Sequence, residues 1–211
     1  ATAVRATSDD VTTSSVGDET AKRRYVNFTG FPFPLVPFLS RRTVLREVVK
    51  GKVWTLEQEQ GIGFDLGVST NVRCTIVKMR DGRLWVHDPV APTVECLEMI
   101  ERIGGDVAYV VLATTQYEHK IFVGPFARRF PKAQVWVAPG QFSFPANLPS
   151  QFFGIFPAGE LDADGSRVPW RDEIATKLLR LPPLFWNQYT YCEAAFLHRD
   201  SGTLIVTDAA V

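Results

Sequence analysis

Ala108-Tyr-Val-Val-Leu-Ala-Thr-Thr-Gln-Tyr-Glu-His-Lys120 is an apolar run that ends in a polar cluster. A short run of this kind, rich in Val and preceded by Gly104-Gly105, predicts a buried strand in a sheet that is covered on both faces. In open α/β sheets the functional groups lie just beyond the carboxyl ends of the strands. We therefore expect any catalytic or metal site among five residues: Thr114, Thr115, Gln116, Glu118 and His119.

The segments before this strand predict antiparallel strands and then a helix. Asp81-Gly82 separates two strand-like runs, residues 71–79 and 83–87, and so predicts a β-hairpin. A further strand is expected from Val53. Thr93 is expected to cap a helix, and the apolar residues that recur at threefold spacing are expected to form its buried stripe: Val94, Leu97, Ile100 and Ile103.

The segments after it continue the strand and helix alternation of a layered α/β sheet. A short helix is expected near Gly124-Pro125, with Phe126 and Phe130 on one face, followed by a strand at Gln134. Three more strands are expected over residues 175–181, 193–198 and 203–208, the last two joined by a hairpin turn.

Composition indicates one globular domain with an attached arm. The chain has 211 residues, of which 45% are hydrophobic and 22% charged, so it can bury a substantial core. Its 23 basic and 23 acidic side chains cancel, which gives no electrostatic reason to expect nucleic acid as a partner. Cys74, Cys96 and Cys192 match no zinc or disulfide spacing and are expected to be buried small hydrophobic residues. No apolar run approaches the ~18 residues of a transmembrane helix, so no transmembrane segment is expected.

Residues 1–50 are expected to form an irregular arm, and residues 51–211 the folded domain. Residues 1–22 are rich in Ala, Ser and Thr and resemble the remains of an organelle-targeting region, with a solvated tail as the alternative. Residues 25–39 contain four Phe and three Pro, which excludes a regular helix. We expect this segment to dock on the protein's own core, on another subunit or on a membrane surface through Phe28, Phe31, Phe33 and Phe38. Residues 40–49 are expected to form a short amphipathic or connecting segment with solvated arginines.

Several of these features resemble the metallo-β-lactamase superfamily. The antiparallel start, the strand end Trp-Val-His-Asp88-Pro, an acid followed by His119, and a late hairpin that ends at Asp208 carry the resemblance. The longer runs Trp54-Thr-Leu-Glu-Gln and Gly202-Thr-Leu-Ile-Val-Thr-Asp also resemble one branch of it, a domain of unknown function found in cyanobacteria, plants and algae. The resemblance covers residues 30–211. It implies a mixed sheet with helices packed on it, and a chain that stops after half of the superfamily's two-sided sandwich.

The superfamily's metal motif, His-x-His-x-Asp-His, presents imidazoles and a carboxylate to one or two metal ions that activate water. The resemblance places Thr114, Gln116, Glu118 and His119 at these four positions. Both leading imidazoles are therefore absent, and a glutamate replaces the aspartate.

The remaining positions of the motif are also depleted. The next histidine of the superfamily falls near Tyr189, whereas Asp208 matches the bridging carboxylate. We therefore expect no catalytic residue and no bound metal. The alternative is a rearranged site for zinc or another divalent metal that uses Glu118, His119 and Asp208. His87 and His198 are expected to be packing residues or solvated strand residues.

Three features predict a non-catalytic structural subunit: the loss of most metal-motif residues, the Phe/Pro-rich segment and the half sandwich. The resemblance to proteins of photosynthetic organisms, together with the targeting-like arm, implies a plastid (chloroplast) protein peripheral to the thylakoid membrane. Its expected partners are protein subunits of a membrane complex such as a photosystem with its antenna, with contact to the membrane surface. The alternative is a metal-dependent hydrolase with a rearranged metal site.

Overall fold

Strand β6 (Val107–Leu112), the strand that the opening run predicts, lies inside the larger of two β-sheets, and all six of its residues are buried. Val110 and Leu112 pack on one face of the sheet, whereas Tyr109 and Val111 pack on the other. The computed structural model describes residues 17–26, 35–37, 39–62, 69–142, 147–182 and 190–209. The prediction of a strand covered on both faces is confirmed.

Within the described residues, the larger sheet is mixed and has eight strands. Besides β6 these are β1 (Leu35–Val36), β2 (Thr43–Val49), β3 (Val53–Ile62), β4 (Ser69–Lys78), β5 (Leu84–His87), β7 (Gln134–Val137) and β8 (Pro157–Glu160). Their order is β1-β3-β4-β5-β6-β7-β8, and β2 also pairs with β3. Pairing is antiparallel from β1 to β5 and parallel from β5 to β8. The Asp81 carboxylate accepts a hydrogen bond from the Arg83 N–H at 2.9 Å and so closes the predicted hairpin between β4 and β5.

The smaller sheet is antiparallel and contains β9 (Ile174–Arg180), β10 (Cys192–His198) and β11 (Thr203–Ile205), in the order β11-β10-β9. It packs on the Val111 face of the larger sheet through an aromatic cluster. The Trp85 ring lies 4.9 Å from the Phe196 ring and 5.9 Å from the Trp170 ring, in edge-to-face geometry. This cluster joins the two sheets into one core.

Helices cover the opposite face of the larger sheet. The helices are α1 (17–22), α2 (Val94–Ile103), α3 (Tyr117–Lys120) and α4 (Val123–Ala127), and a 3-10 turn spans Ser150–Phe153. Residues of α2 and α4 belong to the same buried cluster as Val110 and Leu112. The layers are therefore helix, mixed sheet and small sheet, which is the predicted half sandwich.

Helix α2 begins as predicted but buries a different stripe. The Thr93 hydroxyl accepts a hydrogen bond from the Cys96 N–H at 3.0 Å, which confirms the cap. Cys96 and Ile100 are the buried residues, whereas Val94 is 48% exposed. Threefold spacing is shorter than the helical repeat of ~3.6 residues, so a stripe read at that spacing drifts around the helix. The prediction that Val94 is buried was wrong for this reason.

Residues 40–49 were predicted to form a short amphipathic or connecting segment with solvated arginines, and the solvation was wrong for Arg41, whereas Arg42 and Arg46 are exposed. Residues Thr43–Val49 form strand β2 on the edge of β3, so the sheet includes residues before the predicted 50/51 boundary. Arg41 is 1% exposed, its Nη1 donates to the Glu59 carbonyl at 3.0 Å, and its guanidinium lies 4.9 Å from the centre of the Phe122 ring. Burial lowers the pKa of Arg41 to about 10. The Phe122 ring, in the turn between α3 and α4, accommodates this cation, and the sequence around Arg41 does not show that.

Other predictions have mixed outcomes. Cys74, Cys96 and Cys192 are buried free thiols, as expected. No helix in the described ranges is long and apolar enough to cross a membrane. Five residues that the sequence singles out lie outside the described residues: Phe28, Phe31, Phe33, Phe38 and Tyr189.

Candidate functional site

Asp88, at the carboxyl end of strand β5, forms hydrogen bonds that link three chain segments. It is 1% exposed and has a left-handed backbone (φ 43°), which aspartate tolerates better than most residues. Its N–H donates to the Val111 carbonyl at 2.8 Å. Its carboxylate accepts from the Ala113 N–H at 2.7 Å and from the Thr207 hydroxyl at 2.6 Å. The ends of β5 and β6 and the segment after β11 therefore meet at this carboxylate.

Glu193 is a second buried carboxylate at the same edge. It lies on β10 with 0% exposure. Its oxygens accept hydrogen bonds from three successive backbone N–H groups, those of Thr207 (2.9 Å), Asp208 (3.1 Å) and Ala209 (3.0 Å). The Tyr191 hydroxyl donates to it as well. Peptide dipoles and a phenol thus stabilise this carboxylate inside the protein.

His119, Asp208 and Glu118 come together beside these two carboxylates. The Nε2 atom of His119 lies 3.6 Å from Oδ2 of Asp208, and His119 is 7% exposed. One ligand atom from each of the three residues lies within 4.8 Å of the others. In the part of the chain that the structure describes, this is the one group of three such side chains that could hold a metal ion. Residues far apart in sequence therefore converge as the metal-motif comparison expects.

Charge around His119 favours its protonated form. Burial alone would lower the pKa of His119, but the surrounding carboxylates of Asp208, Asp88 and Glu118 outweigh it, and the pKa is raised. The contact with His119 in turn lowers the pKa of Asp208, although partial burial opposes that effect. His119 and Asp208 therefore form an ion pair at the mouth of the site.

His87 is close to this pair and has a different role. Its Nε2 lies 3.4 Å from both the Asp88 carboxylate and the Thr207 hydroxyl, and its ring stacks on Trp85. Burial lowers the pKa of His87, more than Asp88 raises it. A neutral imidazole that packs between aromatic rings agrees with the packing role predicted for His87. His198 is also buried, and its Nδ1 lies 2.7 Å from the Ser201 hydroxyl in the β10–β11 turn.

Thr114 and Gln116, at the leading motif positions, are part of the backbone scaffold. The Thr114 hydroxyl accepts from the Gln116 N–H at 3.2 Å, and the Thr114 carbonyl accepts from the Gln141 side chain at 2.9 Å. The Thr114 backbone forms a bridge to Glu193. Gln116 is the N-cap residue directly before α3. These two residues shape the turn that delivers Glu118 and His119 to the site.

Lys120 secures the neighbouring loop. It is 2% exposed, and its ammonium donates to the Phe142 carbonyl at 2.5 Å. Burial lowers the pKa of Lys120 to about 8. Lys120, the residue after His119, thus links α3 to the segment that follows β7.

Sequence reasoning missed Asp88, Glu193 and Thr207 as site residues. Asp88 stands in a quoted strand end, but nothing in its neighbourhood shows that three segments meet there. Glu193 interrupts the apolar run from Cys192 to Leu197. A carboxylate within such a run is a signal, because acidic residues are rarely fully buried without dedicated partners.

Glu118, His119 and Asp208 are better suited to an ion pair with one another than to binding one divalent cation. They offer one imidazole and two carboxylates, whereas both leading histidines of the hydrolytic motif are absent. The two deepest carboxylates, Asp88 and Glu193, already accept hydrogen bonds from the protein itself. A cation at Glu118, His119 and Asp208 would have to displace the proton that the carboxylates favour on His119.

The ion pair is expected to stabilise the fold most in mildly acidic solution. The contribution of His119 is complete below its ordinary pKa of 6.5 and is lost as the pH rises through its raised pKa. The contribution of Asp208 is present above its ordinary pKa of 3.8 and is lost as the pH falls through its lowered pKa. Urea unfolding should show His119→Gln to be more destabilising near pH 5.5 than near pH 9, by about 0.5–1 kcal/mol, because the Asp208 carboxylate is half-exposed and solvent screens the pair. Equal destabilisation at the two pH values would contradict this assignment.

Comparison with known proteins relates the sequence to a family and the structure to a known fold. Residues 50–211 match the family described as "Domain of unknown function (DUF4336)". None of the curated protein sequences matches the chain.

Solved structures that are similar to the chain include the following two. One is a fragment described as a diflavin flavoprotein from Nostoc sp. PCC 7120, with 11% identity and a TM-score of 0.53 over 76% of this chain and 64% of that one. The other is a metallo-beta-lactamase from Hirschia baltica, with 11% identity and a TM-score of 0.52 over 77% of this chain and 69% of that one. The chain thus spans less than two thirds of the flavoprotein fragment. At this identity the likeness shows the fold alone, and it confirms the predicted metallo-β-lactamase-like fold.

Proposed function

The chain belongs to the DUF4336 family, and we propose that it is a non-catalytic structural subunit at the periphery of a membrane assembly. The observation that carries this proposal is the hydrogen bonding of Asp88 and Glu193. At the sheet edge where the superfamily holds its metal ions, both carboxylates are occupied by donors of the chain itself. Because these carboxylate oxygens accept hydrogen bonds from the protein itself, they stabilise the fold and have little capacity left to bind and activate a water molecule.

The metal-motif positions support the same proposal. Thr114 and Gln116 stand where the two leading imidazoles would be, and Thr114 uses its hydroxyl and its carbonyl in hydrogen bonds within the chain. A hydrolytic zinc site needs three well-placed protein ligands and an open position for water. With a single imidazole in the cluster, electrostatic stabilisation of the fold is the role that these residues serve best.

The Phe/Pro-rich segment is the proposed contact with the assembly, through Phe28, Phe31, Phe33 and Phe38. The residues that flank it are held together on the folded domain, since the Tyr25 N–H donates to the Leu39 carbonyl at 3.0 Å. Val26 and Leu39, directly before and after this stretch, are 55% and 69% exposed. Within the segment, Leu35–Val36 form strand β1 on β3, so this part of the segment lies on the domain.

The proposed location is the plastid, at the surface of the thylakoid membrane, in a complex such as a photosystem with its antenna. The supports are the resemblance to the branch found in cyanobacteria, plants and algae and the small, hydroxylated residues of the arm. Both come from the sequence.

A metal-dependent hydrolase with a rearranged site is the second candidate. The convergence of Glu118, His119 and Asp208 within 4.8 Å favours it. In that case these three residues would hold one divalent cation, and the cation would supply Lewis acidity toward a bound water.

Metal analysis separates the two candidates. The purified chain is incubated with zinc, manganese or iron(II), freed of excess metal by gel filtration and measured by mass spectrometry. We expect metal well below one ion per chain, unchanged by His119→Ala. The matched control is His198→Gln, which alters a buried histidine outside the cluster. One ion per chain that is lost in His119→Ala and kept in His198→Gln would establish the hydrolase-type site instead.

A further inference from the structure

One stretch of the sequence is uncharged and rich in phenylalanine. Residues 133–159 contain no charged side chain and five Phe. Within it, Phe152 is 71% exposed and Phe156 is 69% exposed, and Phe152 is the most exposed large hydrophobic side chain among the described residues. Apolar side chains of this size are usually covered unless they serve a contact.

The turn that bears these two rings is fixed to the core. Phe153 packs against the helix-side core and Ile155 is 1% exposed within it, between the two exposed Phe. Gly124 of α4 approaches this turn so closely that a Cβ on it would lie 2.2 Å from the Phe153 carbonyl oxygen. Phe152 and Phe156 are therefore held outward by an anchored backbone.

Two consecutive arginines follow α4, and the first of them contacts this turn. Arg128 and Arg129 are both exposed. The Arg128 guanidinium lies against the turn, because a Cβ on Gly154 would be 2.7 Å from its Nη1. Both arginines also oppose the rise that burial causes in the pKa of Tyr25, so they lie near the base of the Phe/Pro-rich segment. Among the described residues, no carboxylate forms an ion pair with either arginine.

We infer that Phe152, Phe156, Arg128 and Arg129 form a lipid-contact surface that docks on an anionic bilayer. Aromatic side chains partition into the headgroup and acyl boundary, and each cation near an anionic surface adds about 1 kcal/mol of attraction. The exposed rings would insert into the apolar interior of a bilayer. The neighbouring arginines, which form no ion pair with the described residues, would face its negatively charged headgroups, and residues 133–159 contain no acidic side chain that would repel these headgroups. This inference deepens the proposed peripheral role and rests on it.

Vesicle co-sedimentation of the full chain tests the surface. The vesicles are phosphatidylcholine alone or phosphatidylcholine mixed with phosphatidylglycerol, at low and at physiological salt. We expect binding to the mixed vesicles that weakens with salt. Changing both Phe152 and Phe156 to Ser should weaken binding about tenfold or more, since each ring buries apolar area in the bilayer. Arg128→Gln with Arg129→Gln should weaken binding and remove its salt dependence.

Two matched control variants show whether the loss of any exposed apolar or basic side chain would weaken vesicle binding. Leu204 is 63% exposed on β11, so Leu204→Ser removes an exposed apolar side chain from a different sheet, and Arg102→Gln removes an exposed arginine of α2. Both variants should bind like the wild type. The inference is overturned if the wild type ignores mixed vesicles, or if Leu204→Ser weakens binding as much as the Phe variant.

The outcomes also separate this surface from the proposed function. Attachment to natural membranes that is lost when their proteins are digested, without any binding to vesicles, would overturn the lipid inference and leave the subunit role intact. Vesicle binding by a chain that never co-purifies with a membrane protein complex would support the lipid surface and contradict the subunit role.

Discussion

Replacement of Glu193 by alanine is expected to lower the free energy of unfolding by about 2–4 kcal/mol. The change removes a fully buried side chain and takes the acceptor away from the N–H groups of Thr207, Asp208 and Ala209. It also leaves the Tyr191 hydroxyl without this partner. Because Asp208 is positioned through its backbone, its contact with His119 should be lost as well. Urea unfolding measures the loss, and faster hydrogen exchange at residues 207–209 locates it.

Two further variants show whether the acceptor or the volume is responsible. Glu193→Gln keeps the shape and one acceptor oxygen, so its loss should be roughly half as large. Glu160→Ala removes an exposed carboxylate at the end of β8 and should stay within about 0.5 kcal/mol of the wild type. A Glu193→Ala protein as stable as the wild type would show that the internal network does not hold this edge together.

Changing Phe28, Phe31, Phe33 and Phe38 together to Ser is expected to abolish attachment to the membrane assembly. Aromatic anchors at an interface commonly cost about 2 kcal/mol or more each when truncated, so four together should reduce affinity by several orders of magnitude. Prolines at positions 32, 34 and 37 favour an extended backbone and limit the entropy lost on docking.

The stability of the same variant distinguishes docking on a partner from packing on the chain's own core. Docking on a partner predicts an unchanged urea midpoint together with lost attachment. Packing on the domain predicts a lower urea midpoint. A variant that keeps both its midpoint and its attachment would exclude these four residues from either role.

Much of the fold could be predicted because its signals are local. The Val-rich run of β6 indicates burial on both faces, Asp81-Gly82 specifies its hairpin, and Thr93 has the side chain that a helix cap requires. Each of these depends on residues within a few positions of one another. The burial of Arg41 could not be predicted from its neighbours, because Phe122, the ring on which it packs, lies 81 positions away in the chain.

The candidate site was only partly predictable for a related reason. Glu118 and His119 follow the strand that the sequence identifies, and Asp208 ends the late hairpin, so their convergence could be expected from the resemblance. The bond between Thr207 and Asp88 joins residues 119 positions apart. The sequence around either residue does not indicate this hydrogen bond, because the bond depends on how the two sheets pack.

Fractionation of plastid-bearing cells that express the tagged chain tests the subunit role most directly. The thylakoid membranes are isolated, solubilised in mild detergent and separated on a native gel. The account predicts that the wild-type chain remains with the membranes and migrates with a large protein complex, whereas the variant with four Phe replaced by Ser migrates alone. A wild-type chain found in the soluble fraction at the size of a single chain would contradict it.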